Sequence, residues 1–279
     1  MNTRTARPAP EARPMSAIVD AADAGATIDD LLRDRQVVVA CDFDGTLAEI
    51  VDDPDAAAPV EGAVDALRSL ADVCSVAVVS GRGLDDVRGR LGLDGIWYAG
   101  SHGFELCDSD GVRHDHPDAA AGAGHLDAAR DDVDRLVADT PGTAAEYKPY
   151  AIAVHHRGVD PDTAAELADA VDAIAADHEG LRVSGGRAVI ELRPDVDWDK
   201  GRALEWIVDR LGADDATRVV FAGDDLTDED ALAAVAADGL GIVVRHGEHG
   251  DRQSYAHLAV GSPAELVTVL EQIARTLRR

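Results

Sequence analysis

The chain has 279 residues, 46% of them hydrophobic, with 54 Asp and Glu against 26 Lys and Arg and a formal net charge of −28. That apolar fraction can build a core, and the length suits one large domain or two smaller ones. The acidity excludes nucleic acid as a partner, because gripping a phosphate backbone takes clustered Lys and Arg. No apolar run approaches the roughly 20 residues of a membrane-spanning helix, which excludes a membrane partner of that kind.

In chain order, residues 1–26 open with MNTRTARPAPEARPMS, which lacks the apolar stretch of a secretory leader and reads as a disordered tail. TIDDLLRDR follows as a short helix with Thr27 at its N-cap. A strand–helix alternation then begins. QVVVAC is a buried strand, VEGAVDALRSLAD a helix with Val60, Val64, Leu67 and Leu70 at helical spacing, CSVAVVS a strand, GLDDVRGRLGL a helix and IWYAG a short strand. The alternation resumes after residue 196. KGRALEWIVDRL is helical, RVVFAG a strand, DEDALAAVAAD a helix, GLGIVV a strand and AHLAV a last short strand. SPAELVTVLEQIARTL closes as a helix, with Ser262 as cap, Pro263 in the first turn and Glu265 completing a capping box. Continuous apolar strands alternating with helices imply a doubly wound parallel sheet covered on both faces.

Residues 104–195 have another texture. GFELC and GVRHDH read as hairpin strands, AGHLDAARDDVDRLVADT and DPDTAAELADAVDAIAADH as helices, and AEYKPYAIAVHHR as one half-buried strand. LRVSGG and RAVIELRP read as strands around a Gly-Gly turn. The expected architecture is an α/β core from 27–103 and 196–279, with an inserted α+β cap from 104–195.

Composition adds four expectations. Aromatic residues are 4% of the chain, so Val, Ala, Leu and Ile must fill the core. The acidic surface suits a very salty cytoplasm, since at about 1 M salt the Debye length is only about 3 Å and surface repulsion is screened. Three cysteines, Cys41, Cys74 and Cys107, make no CxxC pair and read as free thiols in a reducing cytoplasm. The only lysines are Lys148 and Lys200, so each is a candidate for a specific task.

Four strand ends carry polar groups. VVVAC leads to Asp42 and Asp44, VAVVS to Ser80, Gly81 and Arg82, VVFAG to Asp224, Asp225 and Asp228, and DWDKG puts Lys200 just before a helix. Parallel strands share one carboxyl edge, so one rim collects carboxylates, a hydroxyl and a lysine. Carboxylates, water and a phosphate oxygen make an oxygen site for Mg²⁺, and the cation offsets their mutual repulsion. An Asp can attack phosphorus, a second can exchange protons with the leaving oxygen and with water, and Ser80, turn amides and Lys200 can hold the phosphoryl oxygens. The competing reading is plainer: Asp is abundant, acids are favoured at helix N-termini, and Ser80 would serve as an ordinary strand-end turn.

In that order, DFDGTL, SGR, DKG and GDDLTDED resemble the four motifs of the haloacid dehalogenase superfamily of phosphohydrolases. Within it, YAGSHGFEL, EYKPYAIAVHHR, RAVIELRP with DWDKGRAL, and FAGDDLTDEDAL are similar to trehalose-6-phosphate phosphatases. The resemblance covers nearly the whole chain after residue 36. It implies a Rossmann-like core with a substrate-reading cap between the second and third motifs. It also implies Asp42 as nucleophile and Asp44 as acid/base. Mg²⁺ would be held by the Asp42 carboxylate, the Asp44 backbone carbonyl and Asp224, with Asp225 and Asp228 in support. Ser80, Gly81 and Lys200 would bind phosphate. Gly100, Ser101, His102 and Gly103 would form a hinge-side sugar contact, and Lys148, His155, Arg157, Arg187 and Glu191 the sugar contacts of the cap.

Arg187 stands where relatives usually carry Lys, and the two differ in geometry. On residues alone, His102 serves loop packing or substrate equally well. At most one of His155 and His156 can face a ligand from a strand. Lys148, Arg157 and Glu191 also read as surface groups. Two rivals to a trehalose 6-phosphate phosphatase stand beside it: a phosphatase of another sugar phosphate, and a non-catalytic protein that binds one. A cytoplasmic monomer acting on a small sugar phosphate is the expected context.

Overall fold

The computed structural model describes residues 11–51, 53–116, 119–186, 189–246 and 250–279. In chain order the elements begin with Arg13–Pro14 (β1), Val19–Asp20 (β2), Gly25–Leu32 (α1), Val37–Cys41 (β3), Ala63–Ala71 (α2), Ser75–Val79 (β4), Leu84–Leu91 (α3) and Trp97–Gly100 (β5). They continue with Glu105–Cys107 (β6), Arg113–Asp115 (β7), Ala119–Asp139 (α4), Ala144–Lys148 (β8), Ala151–His155 (β9), Pro161–Asp177 (α5), Leu181–Gly186 (β10) and Val189–Pro194 (β11). Last come Lys200–Arg210 (α6), Arg218–Gly223 (β12), Glu229–Val235 (α7), Leu240–Val244 (β13), Gln253–Ser254 (β14), Leu258–Val260 (β15) and Pro263–Leu277 (α8).

Two compact units result, Met1–His114 with Asp199–Arg279, and Asp115–Trp198. Among the described residues, the larger unit has a nine-stranded sheet in the order β2-β15-β13-β12-β3-β4-β5-β6-β7. The ladders from β2 to β5 are parallel. All five residues of β3 are buried, because both sides of the sheet are covered. Val37, Val39 and Cys41 pack with Leu32, Leu67, Leu84 and Leu270 from α1, α2, α3 and α8. Val38 and Ala40 are buried on the other side, where α6 and α7 pack against the sheet. This two-sided burial explains why the strand reads as an unbroken apolar run rather than an alternating one.

Four expectations for this unit need correction. The segment from residue 13 is not a disordered tail, and the first ten residues of that expectation lie outside the described residues. β1 pairs with β14, β2 pairs with β15, and Met15 and Ile18 are buried. Burying side chains of that size contributes roughly 1.5–3 kcal/mol each, which a reading based on polar composition overlooks. Thr27 lies inside α1, whose N-cap is Ala24 with no side-chain cap. GFELC and GVRHDH belong to the large sheet, with β6 antiparallel to β5. In α8 the Ser262 hydroxyl accepts from the Glu265 N–H as expected, but the Glu265 carboxylate accepts from Gly261, one residue before the cap.

The smaller unit has a four-stranded antiparallel sheet, β10-β11-β9-β8. Ile152, Val154, Ile190 and Leu192 face α4 and α5, packing with Leu126, Val133, Leu167 and Val171. Strand alternation sends Glu146, Lys148, His155 and Glu191 to the opposite face. AEYKPYAIAVHHR is two strands, β8 and β9, not one, because Pro149 cannot continue a ladder. Gly185 and Gly186 are strand residues paired with Ile190 and Val189 rather than a turn.

Candidate active site

The parallel order β12-β3-β4 gathers the polar strand ends at one edge. The Asp42 N–H donates to the Ala222 carbonyl at 2.8 Å, so the ladder with β12 extends one residue past β3 and fixes where Asp42 stands. Lys200 opens α6 and is buried, its Nζ donating to Asp42 Oδ1 at 2.8 Å and to Asp228 Oδ1 at 2.7 Å. The next residue must be small, because a Cβ on Gly201 would lie 2.5 Å from the Asp230 carbonyl oxygen. The close approach of α6 to α7 therefore carries the ammonium to the two carboxylates.

Asp224 completes the group. Asp42, Asp224 and Asp228 each offer a carboxylate oxygen, all within 4.8 Å of one another. Asp228 Oδ2 accepts from the N–H groups of Asp224 and Asp225 at 3.0 Å each. Thr46 Oγ1 donates to Asp224 Oδ1 at 3.2 Å. His246 Nε2 donates to the Gly45 carbonyl at 2.9 Å and lies 3.4 Å from Asp224 Oδ2. The turn carrying Thr46 closes on Phe43, whose carbonyl accepts from Leu47 and Ala48 at 2.9 Å and whose ring is fully buried.

Gly45 sits in the left-handed region at φ +76°, and a Cβ there would lie 2.2 Å from Asp224 Oδ2. A Gly45→Ala variant should therefore lose activity by about 10²-fold or more, since a carboxylate displaced by about 1 Å misplaces the reacting groups. Measured kcat on any substrate that the wild type hydrolyses checks this.

The electrostatics of the cluster ask for a cation. Burial pushes the Asp42 carboxyl up to about 8, with Lys200 pulling it down and Asp228 and Asp44 adding to the rise. Burial, then Asp42 and Asp228, raise Asp224 well above the carboxylate range. One ammonium thus stands against three carboxylates. An all-oxygen donor set with surplus negative charge fits a hard divalent cation such as Mg²⁺.

The other expected residues divide between this group and its neighbours. Asp44 is turned to Arg82, which binds it through two parallel bonds of 2.7 and 2.8 Å. Arg82 also donates to Asp86 at 2.9 Å and to the Pro54 carbonyl at 2.9 Å. Asp225 is not among the three clustered carboxylates; it caps the turn that leads to Asp228. Ser80 is fully buried, and its Oγ accepts from the Arg82 N–H at 3.1 Å. Gly81 lies against the His102 ring, 2.8 Å from where its Cβ would be. Ser101 and His102 both hold left-handed backbone, at φ 50° and 56°, a costly conformation for non-glycine residues. The Ser101 and His102 N–H groups donate to the Arg82 and Ser80 carbonyls at 2.7 and 2.9 Å, tying this turn, with Gly103, to the Ser80 loop.

In the smaller unit, Lys148 Nζ is 3.0 Å from Glu191 Oε1, and His155 Nε2 is 2.9 Å from Glu146 Oε2. Arg157 is exposed beyond β9. Arg187 lies outside the described residues.

Sequence reasoning gave no role to Arg82, His246 or Arg252, and left Thr46 as a turn residue. Arg82 stood in view inside SGR, where a cation two residues beyond Ser80 was the available signal. His246 and Arg252 lie in a loop, and no spacing rule places them near Asp224.

A parallel α/β core with an aspartate cluster and a buried lysine at its carboxyl edge is the arrangement that the resemblance to haloacid dehalogenase phosphohydrolases implies. Sequence patterns of the trehalose-phosphatase family match residues 40–264. The chain is 48% identical over 267 residues to the trehalose-phosphate phosphatase of Mycobacterium marinum, covering 95% of this chain and 68% of that one. Among solved structures it is similar to the C-terminal domain of Candida albicans trehalose-6-phosphate phosphatase, with TM-score 0.75, 21% identity and coverage of 90% and 96% of the two chains. A trehalose-6-phosphate phosphatase related protein gives TM-score 0.72 at 26% identity, covering 85% and 97%. The chain belongs to the trehalose-phosphatase family, and it is a phosphoric monoester hydrolase.

Proposed function

We propose that the enzyme hydrolyses trehalose 6-phosphate to trehalose and phosphate, with Mg²⁺, through an aspartyl-phosphate on Asp42. The buried Asp42–Lys200–Asp228 group with Asp224 beside it carries the chemical part of this reading. The substrate rests on the relatives, which are trehalose-phosphate phosphatases.

Asp42, Asp224 and Asp228 would hold the cation, which supplies charge neutralisation at the phosphoryl oxygens. Lys200 keeps Asp42 oriented and offsets charge at the same place. The Asp42 carboxylate attacks phosphorus as the sugar oxygen leaves and takes a proton. Water then attacks the acyl phosphate, gives up a proton, and frees Asp42 and inorganic phosphate. Asp44 is the group that gives and takes these protons. Both of its carboxylate oxygens accept from Arg82, so passing a proton to the sugar oxygen requires it to leave that fork. The polar face of the smaller sheet, with Lys148, His155 and Glu191, reads the sugar, and Arg157 and Arg187 are assigned to the same task.

Phosphate release from a panel of sugar phosphates, with Mg²⁺ or with a chelator, tests the proposal. Trehalose 6-phosphate should exceed glucose 6-phosphate in kcat/KM by about 10²-fold or more, as expected of a site that pairs with substrate hydroxyls. Chelation should abolish the reaction. A faster reaction with another disaccharide phosphate would move the substrate assignment and keep the chemistry. Unchanged rates in the chelator would remove the cation from the mechanism.

A further inference from the structure

Asp224 is held from outside its own motif. Its N–H is taken by Asp228, and its Oδ1 by Thr46. Its carbonyl accepts from Arg252 Nη2 at 2.6 Å. The same guanidinium donates through Nη1 to Glu229 Oε1 at 3.0 Å, and Glu229 Oε2 accepts from the Tyr255 N–H at 2.9 Å. Arg252 thus ties the peptide of Asp224 to the first turn of α7. A planar fork spans both oxygens at once, which a single ammonium cannot do.

The main chain of Arg252 is held in turn by the N-terminal segment. The Met15 N–H donates to the Arg252 carbonyl at 2.9 Å, and the Ser16 N–H to Asp251 Oδ1 at 2.8 Å. Arg13 and Pro14 pair with Ser254 and Gln253. Arg245, at the start of the same loop, donates to the Met15 and Ile18 carbonyls at 3.0 and 2.6 Å. One loop therefore has the N-terminal segment on its backbone and the Asp224 carbonyl on its side chain.

We propose that Arg252 is a positioning residue for the cation-binding carboxylate of Asp224, and that the segment Arg13–Asp20 acts on the site by holding Arg252 in place. The inference rests on the reading of Asp224 as a metal ligand. Its physical basis is the carbonyl bond: without it the Asp224–Asp225 peptide is held only at its N–H, by Asp228 Oδ2, and the carboxylate is kept less firmly in the ligating position. The ordering then has to be supplied when the ion binds.

The test is Mn²⁺ binding to the full chain, with free Mn²⁺ counted by electron paramagnetic resonance and the unfolding temperature of each metal-free variant recorded separately. Loss of a group that orients a ligand typically weakens metal binding by about 10–100-fold. Arg252→Ala should bind Mn²⁺ about 10-fold more weakly than wild type, Arg252→Lys should fall between them, and Arg245→Ala should also weaken binding, by less than Arg252→Ala. A purely structural role would lower the metal-free unfolding temperature and leave the dissociation constant alone.

Wild-type affinity in a folded Arg252→Ala, with binding lost in Asp224→Ala, overturns the inference and leaves the site reading standing. Undiminished binding in Asp224→Ala overturns both. If Arg252→Ala does not fold, Arg252→Lys decides: wild-type affinity overturns the proposal, and weakened binding supports it.

Discussion

An Asp42→Asn variant should fold normally and turn over at most about 10⁻⁴ as fast as the wild type, the scale of loss seen when a nucleophile is removed. An amide does not attack phosphorus, whereas its oxygen can still accept the Lys200 bond that Asp42 Oδ1 accepts at 2.8 Å. The variant also reports on electrostatics. In the metal-free protein, burial lifts Asp42 from 3.8 to about 8. Between those values the folded state binds more protons than the unfolded state, so stability falls as pH rises through the window. Asn cannot titrate. The metal-free variant should therefore lose less stability than wild type between about pH 4 and pH 8. Phosphate release together with unfolding temperatures at the two pH values would show it. Near-normal turnover would remove Asp42 from the chemistry.

Lys200→Met should be the most destabilising single change at the site. Its side chain is 4% exposed, and its ammonium faces both Asp42 and Asp228. Burial pulls Lys200 down, but Asp228 and Asp42 more than compensate and hold it above its ordinary value. Removing one partner of a buried pair costs about 3–5 kcal/mol, because the remaining charge stays buried. In a chain of this size that corresponds to a fall of roughly 6–20 °C in unfolding temperature. The side chain of Met fills similar space, so the loss would trace to charge rather than to a cavity. Saturating Mg²⁺ should return part of the stability, since a cation offsets the same carboxylates, while kcat stays at least about 10²-fold down for want of the phosphate-side charge. Full recovery of kcat with Mg²⁺ would assign Lys200 a purely structural role.

The sheet and its catalytic edge were legible for physical reasons. Strands buried on both faces have no choice but unbroken runs such as VVVAC and VVFAG, and carboxylates at the ends of such runs need a counter-charge. The same logic singled out Lys200 in a chain with two lysines. What escaped depends on partners far away in sequence. Arg245 reaches Met15 across 230 positions, and no local pattern in EARPMS announces that Met15 will be held. β6 and β7 look like the start of an insertion because their alternation matches a hairpin; only pairing with β5 assigns them to the large sheet. Asp44 was legible as an acid but not as a member of an Arg82 fork, because a charged pair formed by two loops leaves no periodic trace.

The scarcity of lysine has a practical consequence. Lys200 is sealed between Asp42 and Asp228, while the Lys148 side chain is 21% exposed beside Glu191. Apart from the α-amino group, an amine-selective dye or crosslinker therefore meets one reachable target, on the polar face of the smaller sheet. A stoichiometric fluorophore could be attached there without engineering a cysteine, and its emission during sugar phosphate titration would follow that face directly.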